Sequence, residues 1–262
     1  MMFNNHFFHL VSSSPWPIVV SSNIFNVGVG LIWMIGGEFF FFFFFTFLML
    51  IMSFQWWRDV VYEGVYEGSH TCSITAGLDM GVVGFIISEI CFFFSFFWMF
   101  FYFSLSPDFI LGFTWPPLGV FSVSFLGVPF LNTLILLSSG FFITLSHLNL
   151  VSRFSAKFFY SYFFGLALGG YFLLVQFYEY YNLSYDFSDG SFGCAFYILT
   201  GFHGFHVLLG FVFLFINFIR FYIGHLSTFF VSGFDYSVWY WHFVDVVWLF
   251  LYLFVYWWGG CS

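Results

Sequence analysis

The sequence predicts an all-α integral membrane protein with seven transmembrane helices, and three observations support this fold class. Of the 262 residues, 62% are hydrophobic, 30% are aromatic and only 6% are charged, whereas about a quarter of a soluble domain is charged. Apolar stretches recur at the length of about 20 residues that a helix needs to cross a bilayer. The four Lys and Arg residues all fall on one side of the resulting topology.

Short segments rich in Gly, Pro and charged residues separate the apolar stretches. The predicted spans are residues 16–36, 39–57, 78–103, 128–150, 157–178, 192–218 and 238–258. No linker or repeat divides the chain, so we expect one domain over residues 1–262. The polar segment from Arg58 to Thr71 is predicted to be a loop. It separates helices 1 and 2 (about 16–57) from helices 3 to 7 (about 78–258).

The charged residues predict the orientation in the membrane. The basic residues fall in the second, fourth and sixth connections: Arg58, Arg153, Lys157 and Arg220. The acidic residues assigned to the opposite face are Glu38, Asp108, Glu179, Asp186 and Asp189. Because Lys and Arg favour the side from which insertion starts, the N-terminus is predicted inside and the C-terminus outside. We interpret Glu179 and the aspartates after it as capping and turn residues.

Charge and cysteine pattern exclude several classes of function. A net charge of −8 argues against a nucleic-acid partner and against a polybasic lipid-binding surface. The cysteines are scattered without a CxxC pair, at Cys72, Cys91, Cys194 and Cys261. Neither a zinc site nor a redox dithiol is therefore predicted.

Glu89 is an ionisable residue near the middle of the third predicted span. A carboxyl group at this depth is costly and must face protein or a cleft rather than lipid. Two interpretations stay open from the sequence: a proton-exchanging carboxyl, or a neutral acid that is hydrogen-bonded to a neighbouring helix.

Two further pairs of polar residues lie inside predicted spans at a spacing of three, which places each pair on one helix face. His203 and His206 form the first pair, and His242 and Asp245 form the second. The histidine pair lacks further ligands at convincing spacing, so contacts between helices are favoured over haem or metal binding. We predict no metal site and no catalytic residue.

The segment WWRDVVYEGVYEGSHT combines interfacial aromatic residues with polar ones. Trp57 suits the membrane interface, and Glu63 and His70 suit contacts with lipid headgroups. A solvated loop is the alternative interpretation. Phospholipid binding is modestly favoured.

Motifs along nearly the whole chain resemble those of subunit III of the haem–copper cytochrome c oxidases. In chain order they are HLVSSSPWPI from His9, WWRDVVYEG, GFIISEICFFF, FTWPPLGV, PFLNTLILLSSG, YEYYNLSYDFSDGSFGCAFYILTGFHGFHVLLG and WYWHFVDVVWLFLY. The last two are the most specific. By motif match, Glu89 is the family's intramembrane carboxyl, and the lipid-contacting positions correspond to Trp57, Glu63, His70 and Arg220.

The resemblance implies a non-catalytic core subunit of respiratory complex IV in the mitochondrial inner membrane. It implies that haem a, haem a3 and the copper centres lie in partner subunits I and II, and that this chain binds no cofactor except structural phospholipids. Those lipids fill a V-shaped cleft between helices 1–2 and helices 3–7. The resemblance also implies that the chain packs against the catalytic subunit and accessory subunits and supports assembly, proton uptake and turnover of the complex.

The chain departs from the family pattern at several polar positions. Ser12 and Ser13 replace an Asp, Tyr62 replaces a basic residue, and Leu148 follows His147 in place of a second histidine.

Two other functions compete with the leading one. An independent proton or ion transporter would use Glu89, His242 and Asp245 as a relay. Subunit III of a quinol oxidase is the other, although the SPWP turn and seven spans argue against it.

Overall fold

The computed structural model describes residues 11–107, 112–117, 119–226 and 231–260. Across these ranges the chain is helical and contains no β-strand, and seven helices are long and apolar enough to cross a membrane. They are α1 (Trp16–Ile35), α2 (Phe39–Val65), α3 (Cys72–Leu105), α4 (Val128–Val151), α5 (Ser155–Tyr181), α6 (Ser191–Tyr222) and α7 (Ser232–Leu251), which continues as a π-helix (Tyr252–Trp258). The predicted fold class is confirmed. His9, Asp108 and Cys261 lie outside the described residues.

The second connection is much shorter than predicted. The expected loop from Arg58 to Thr71 is wrong over most of its length, because α2 continues to Val65 and α3 begins at Cys72. With 27 residues, α2 is about 40 Å long, so its polar end extends beyond a hydrocarbon core of about 30 Å. Charged residues there do not end the helix. Similarly, α7 begins at Ser232 rather than at residue 238.

The chain divides into two compact units, one up to Leu78 and one from Asp79 onward. In the first unit, α1 and α2 form an antiparallel hairpin. A side chain at Gly30 would lie 2.9 Å from the Phe42 Cα atom, so this glycine permits close approach of the two helices. Gly37, at φ +97°, forms the connecting turn because glycine tolerates positive φ.

In the second unit, α7 packs against both α4 and α6 and carries the largest buried side chains. Trp241 and Trp248 are almost fully buried, and their indole nitrogens donate hydrogen bonds to α4. The first reaches Ser139 Oγ at 3.0 Å and the second reaches Thr133 Oγ1 at 3.1 Å. Satisfying both polar atoms allows these rings to fill the core.

Glycines and aromatic rings set the remaining helix contacts in the second unit. A side chain at Gly165 of α5 would lie 2.6 Å from Ile143 Cδ1 of α4, so any larger residue there would require the Ile143 side chain to shift. By contrast, α3 packs through aromatic rings, including an edge contact of 5.1 Å between the centroids of Phe101 and Phe254. The bundle thus positions the polar residues of α3, α4, α6 and α7 in its interior and along its seams.

Candidate functional site

Glu89 of α3 and His206 of α6 form a carboxyl–imidazole pair. Glu89 Oε2 lies 2.9 Å from His206 Nε2, and the two side chains are only 20% and 9% exposed. The second ring nitrogen, Nδ1, lies 2.7 Å from the carbonyl oxygen of Phe202. A carbonyl oxygen can only accept a hydrogen bond, so Nδ1 carries a hydrogen. This contact fixes the imidazole tautomer.

The same geometry sets the number of protons in the pair. With Nδ1 protonated, a neutral imidazole presents the lone pair of Nε2 to Glu89. A neutral Glu89 acid then donates to Nε2, or an imidazolium donates to a carboxylate, and both forms have zero net charge. A Glu89 carboxylate would be repelled by the lone pair on His206 Nε2. Zero net charge explains how a carboxyl group halfway along α3 is accommodated in a membrane.

His203 has a different environment from His206. It is almost fully buried, and its ring centroid lies 5.2 Å from that of Trp248 and 6.0 Å from that of Phe172. Neither ring nitrogen has a hydrogen-bond partner among the described residues. Both histidines lie on the face of α6 that points into the bundle, but only His206 contacts a polar group on another helix.

His242 and Asp245 of α7 meet Thr144 of α4. His242 Nε2 lies 3.0 Å from Thr144 Oγ1, and His242 Nδ1 lies 3.4 Å from Asp245 Oδ2. Asp245 is buried against Gly140, where a side chain would collide with its Oδ2 atom. The Thr144 hydroxyl also contacts the Gly140 carbonyl at 2.9 Å. This cluster and the Glu89–His206 pair share no hydrogen bond among those described.

The predicted lipid-contacting residues of the first unit lie at the end of α2 and just beyond it. Trp57 is 61% exposed, as an interfacial indole requires. Glu63 accepts a hydrogen bond of 3.0 Å from Ser12, and the His70 ring lies against Gly64. Gly64 is needed there, because a side chain would come within 2.7 Å of His70 Nδ1.

A contact between Trp16 and Asp59 was not predicted. The Trp16 indole donates to Asp59 Oδ2 at 2.6 Å, and Arg58 pairs with the same carboxylate through Oδ1 at 2.8 Å. Asp59 lies four residues before Glu63, so both acids face the turn that precedes α1. These hydrogen bonds attach the start of α1 and the residues before it to the end of α2 that carries Arg58.

Arg220, in the last turn of α6, is half-buried beside α7. Its Nη1 atom donates to Asn217 Oδ1 at 3.1 Å, and a side chain at Gly233 would come within 2.6 Å of the same nitrogen. In the described part of the chain no carboxylate lies within 4.0 Å of this guanidinium. Its remaining donors suit an anion such as a lipid phosphate.

Other polar contacts escaped the sequence analysis. Asp79 accepts a hydrogen bond of 2.8 Å from Tyr236, and His147 lies 2.9 Å from Asp235. Both contacts join helix ends that are far apart in sequence. Glu179 was interpreted as a turn or capping residue, but it lies within α5 and is buried. The interpretation is wrong because Glu179 faces the core of the second unit.

The helices and these interior contacts define a multi-pass membrane protein whose polar groups pair with one another inside the bundle. No group of three or more His, Cys, Asp or Glu residues in the described ranges is arranged to hold a metal ion.

Comparison with known proteins gives the family. The chain matches the family model described as "Cytochrome c oxidase subunit III" over residues 6–260. It is 44% identical over 258 residues to "Cytochrome c oxidase subunit 3" of Drosophila yakuba, covering 98% of each chain. To the protein of that name from Osphranter robustus it is 42% identical over 261 residues, covering 99% of this chain and 100% of the relative. The chain belongs to the cytochrome c oxidase subunit III family, which disfavours the ion-transporter and quinol-oxidase alternatives.

Proposed function

We propose that the chain is a non-catalytic core subunit of cytochrome c oxidase, the complex that transfers electrons from cytochrome c to oxygen and pumps protons. The observation that carries this proposal is the family match over residues 6–260. In this role the chain packs against subunits I and II and accessory subunits in the mitochondrial inner membrane. Haem a, haem a3 and the copper centres belong to the partner subunits.

The contacts of His206 and His242 favour a structural role for these two residues over redox chemistry. Both ring nitrogens of His206 are engaged, by Glu89 and by Phe202, and both nitrogens of His242 contact Thr144 or Asp245. An axial or copper ligand needs a free ring nitrogen. These two histidines therefore act in contacts between and within helices.

Phospholipid binding is the second part of the proposal. The hairpin of α1 and α2 buries little of its surface within the chain, and α2 buries only Gly64. Such apolar helices need lipid or another subunit around them. We assign lipid contacts to Trp57, Glu63, His70 and Arg220.

Glu89 contributes to proton supply or stability of the complex, not to oxygen reduction. Its partner His206 holds it in a hydrogen-bonded pair inside the second unit. A carboxyl group in such a pair affects proton transfer and side-chain packing in its surroundings. The chemistry at the haem–copper centre proceeds elsewhere.

The proposed orientation follows from the ends of the helices. If the seven helices cross the membrane in alternate directions, the connections that carry Arg58, Arg153, Lys157 and Arg220 fall on the side of the start of α1. By the basic-residue bias, that side is the matrix, and the C-terminus is in the intermembrane space.

Capture of the chain from native membranes tests the proposal. We expect subunits I and II to co-purify with it in equal amounts, measured by quantitative mass spectrometry after mild detergent extraction. A control capture through subunit II must return this chain in the same ratio. Recovery of a stable, homogeneous chain without those partners would contradict the proposal and favour a transporter.

A further inference from the structure

Glu179 is a buried carboxyl group whose contact with the Tyr256 hydroxyl falls short of good hydrogen-bond geometry. It lies in the last turn of α5 and is only 4% exposed. Neither carboxyl oxygen has a partner of good geometry among the described residues, and no Lys, Arg or His lies within 4.0 Å in that part of the chain. An isolated carboxylate is strongly disfavoured in a buried site. The neutral acid avoids most of that cost.

The surroundings of Glu179 are polar and equally buried. Tyr256, in the π-helical turn that ends α7, places its hydroxyl beside both Glu179 and Gln176. Tyr185 lies close to Glu179 on the segment between α5 and α6. Among the described residues, the Tyr185 hydroxyl has no hydrogen-bond partner, and the contacts of the Tyr256 hydroxyl with Glu179 and Gln176 fall short of good hydrogen-bond geometry. Burial raises the pKa of Tyr185, so its hydroxyl stays protonated.

One amide pair completes this cluster. Asn132 of α4 and Gln176 of α5 are joined by a single hydrogen bond of 3.1 Å, which leaves one amide donor and one amide acceptor without a further hydrogen bond of good geometry. Exchanging nitrogen and oxygen in both amides gives the same count, so the conclusion does not depend on their assignment. Unsatisfied donors and acceptors therefore occur together.

Two arguments identify what these groups bind. The cluster contains hydroxyls, an amide donor, an amide acceptor and a carboxyl group. If Glu179 is neutral, none of these side chains is charged. A neutral ligand that both donates and accepts matches this set, and water needs two to four such partners when buried. The π-helical turn at Tyr256 supports a specialised role, since such turns occur frequently at functional sites.

We propose that Glu179, Tyr256, Gln176, Asn132 and Tyr185 form an internal binding site for ordered water molecules, in which Glu179 is a protonated acid. The site lies inside the second unit, at the ends of α5 and α7 and the start of α4. It is separate from the Glu89–His206 pair. The bound water completes the hydrogen bonding of four segments of the chain and fixes the ends of these helices to one another.

The first test is a map of the intact oxidase at a resolution that shows water. We expect one or more water molecules within hydrogen-bonding distance of Glu179 and Tyr256. Direct hydrogen bonds among the five side chains that leave no water between them would overturn the proposal. So would a metal cation, recognised by several oxygen ligands at about 2.3–2.6 Å.

The second test measures the charge of Glu179 in the assembled complex by infrared difference spectroscopy between wild type and Glu179→Gln. We expect the variant to lose one carbonyl band of a protonated carboxyl. Loss of a carboxylate band instead would overturn the proposal.

Tyr256→Phe should remove the water next to the hydroxyl while the helices stay in place. Tyr178→Phe, which changes an exposed residue on the same turn of α5, should leave the water unchanged. Equal effects of the two phenylalanine variants would contradict a site at Tyr256.

Discussion

Replacing Gly169 by Ala should destabilise the second unit, because this glycine is where α5 meets the buried indole ring of Trp241 of α7. A Cβ atom at Gly169 would lie 2.7 Å from Trp241 Cη2 and 2.8 Å from Cζ2. Carbon atoms pack best at about 3.5–4.0 Å, so the helix and the ring must separate by about 1 Å. The ring has little room to move, since it is 1% exposed and its nitrogen is bonded to Ser139 at 3.0 Å.

The magnitude follows from three contributions. Overpacking costs typically about 1–3 kcal/mol, and a displaced Trp241–Ser139 hydrogen bond adds about 0.5–1.5 kcal/mol. Alanine recovers up to about 1 kcal/mol through its higher helix propensity. We therefore expect Gly169→Ala to lower the free energy of unfolding by about 0.5–4.5 kcal/mol.

Reversible unfolding of the chain by SDS in mixed micelles measures this free energy. The matched control is Gly170→Ala on the next residue, whose Cβ atom would make an ordinary contact of 3.4 Å with Phe211. It should leave the free energy of unfolding unchanged or raise it by up to about 1 kcal/mol, because alanine has the higher helix propensity. Equal stability of the two variants would refute the packing described for Gly169 and Trp241.

Three further predictions concern function. Glu89→Gln should leave oxygen reduction at a reduced or near-normal rate, with poorer proton uptake or faster inactivation during turnover. Complete loss of oxygen reduction at unchanged haem content would show that Glu89 has another role. A high-resolution map of the complex should contain phospholipid density near Trp57 and His70, and tightly packed protein at both places would defeat the lipid assignment. Labelling of Cys261 in mitochondria should occur from the intermembrane side, so modification from the matrix alone would reverse the proposed orientation.

The number and type of the helices were predictable because each span is a long apolar stretch bounded by turn residues. Their ends were less predictable. The charged residues after Trp57 looked like a loop, yet Asp59 and Glu63 lie on one face of α2 and contact the turn before α1. Such contacts depend on residues more than 40 positions away, and the pattern of a single helix does not contain them.

The polar residues of the candidate site were found from the sequence, but their partners were not. A carboxyl group inside a span draws attention by its cost, which is how Glu89 was selected. Its bond to His206 joins residues 117 positions apart. Glu179 was missed for the opposite reason, because it sits near a turn where acids are common. Only the packing of α4, α5 and α7 shows that it is enclosed.

The haem spectrum of the native complex purified through this chain tests the central claim most directly. We predict the absorption of haem a in the complex, and no haem on this chain after it is released from its partners under conditions that preserve haem binding in the other subunits. Haem recovered with the released chain, or a purified complex without haem a, would contradict its assignment as a supporting subunit of cytochrome c oxidase.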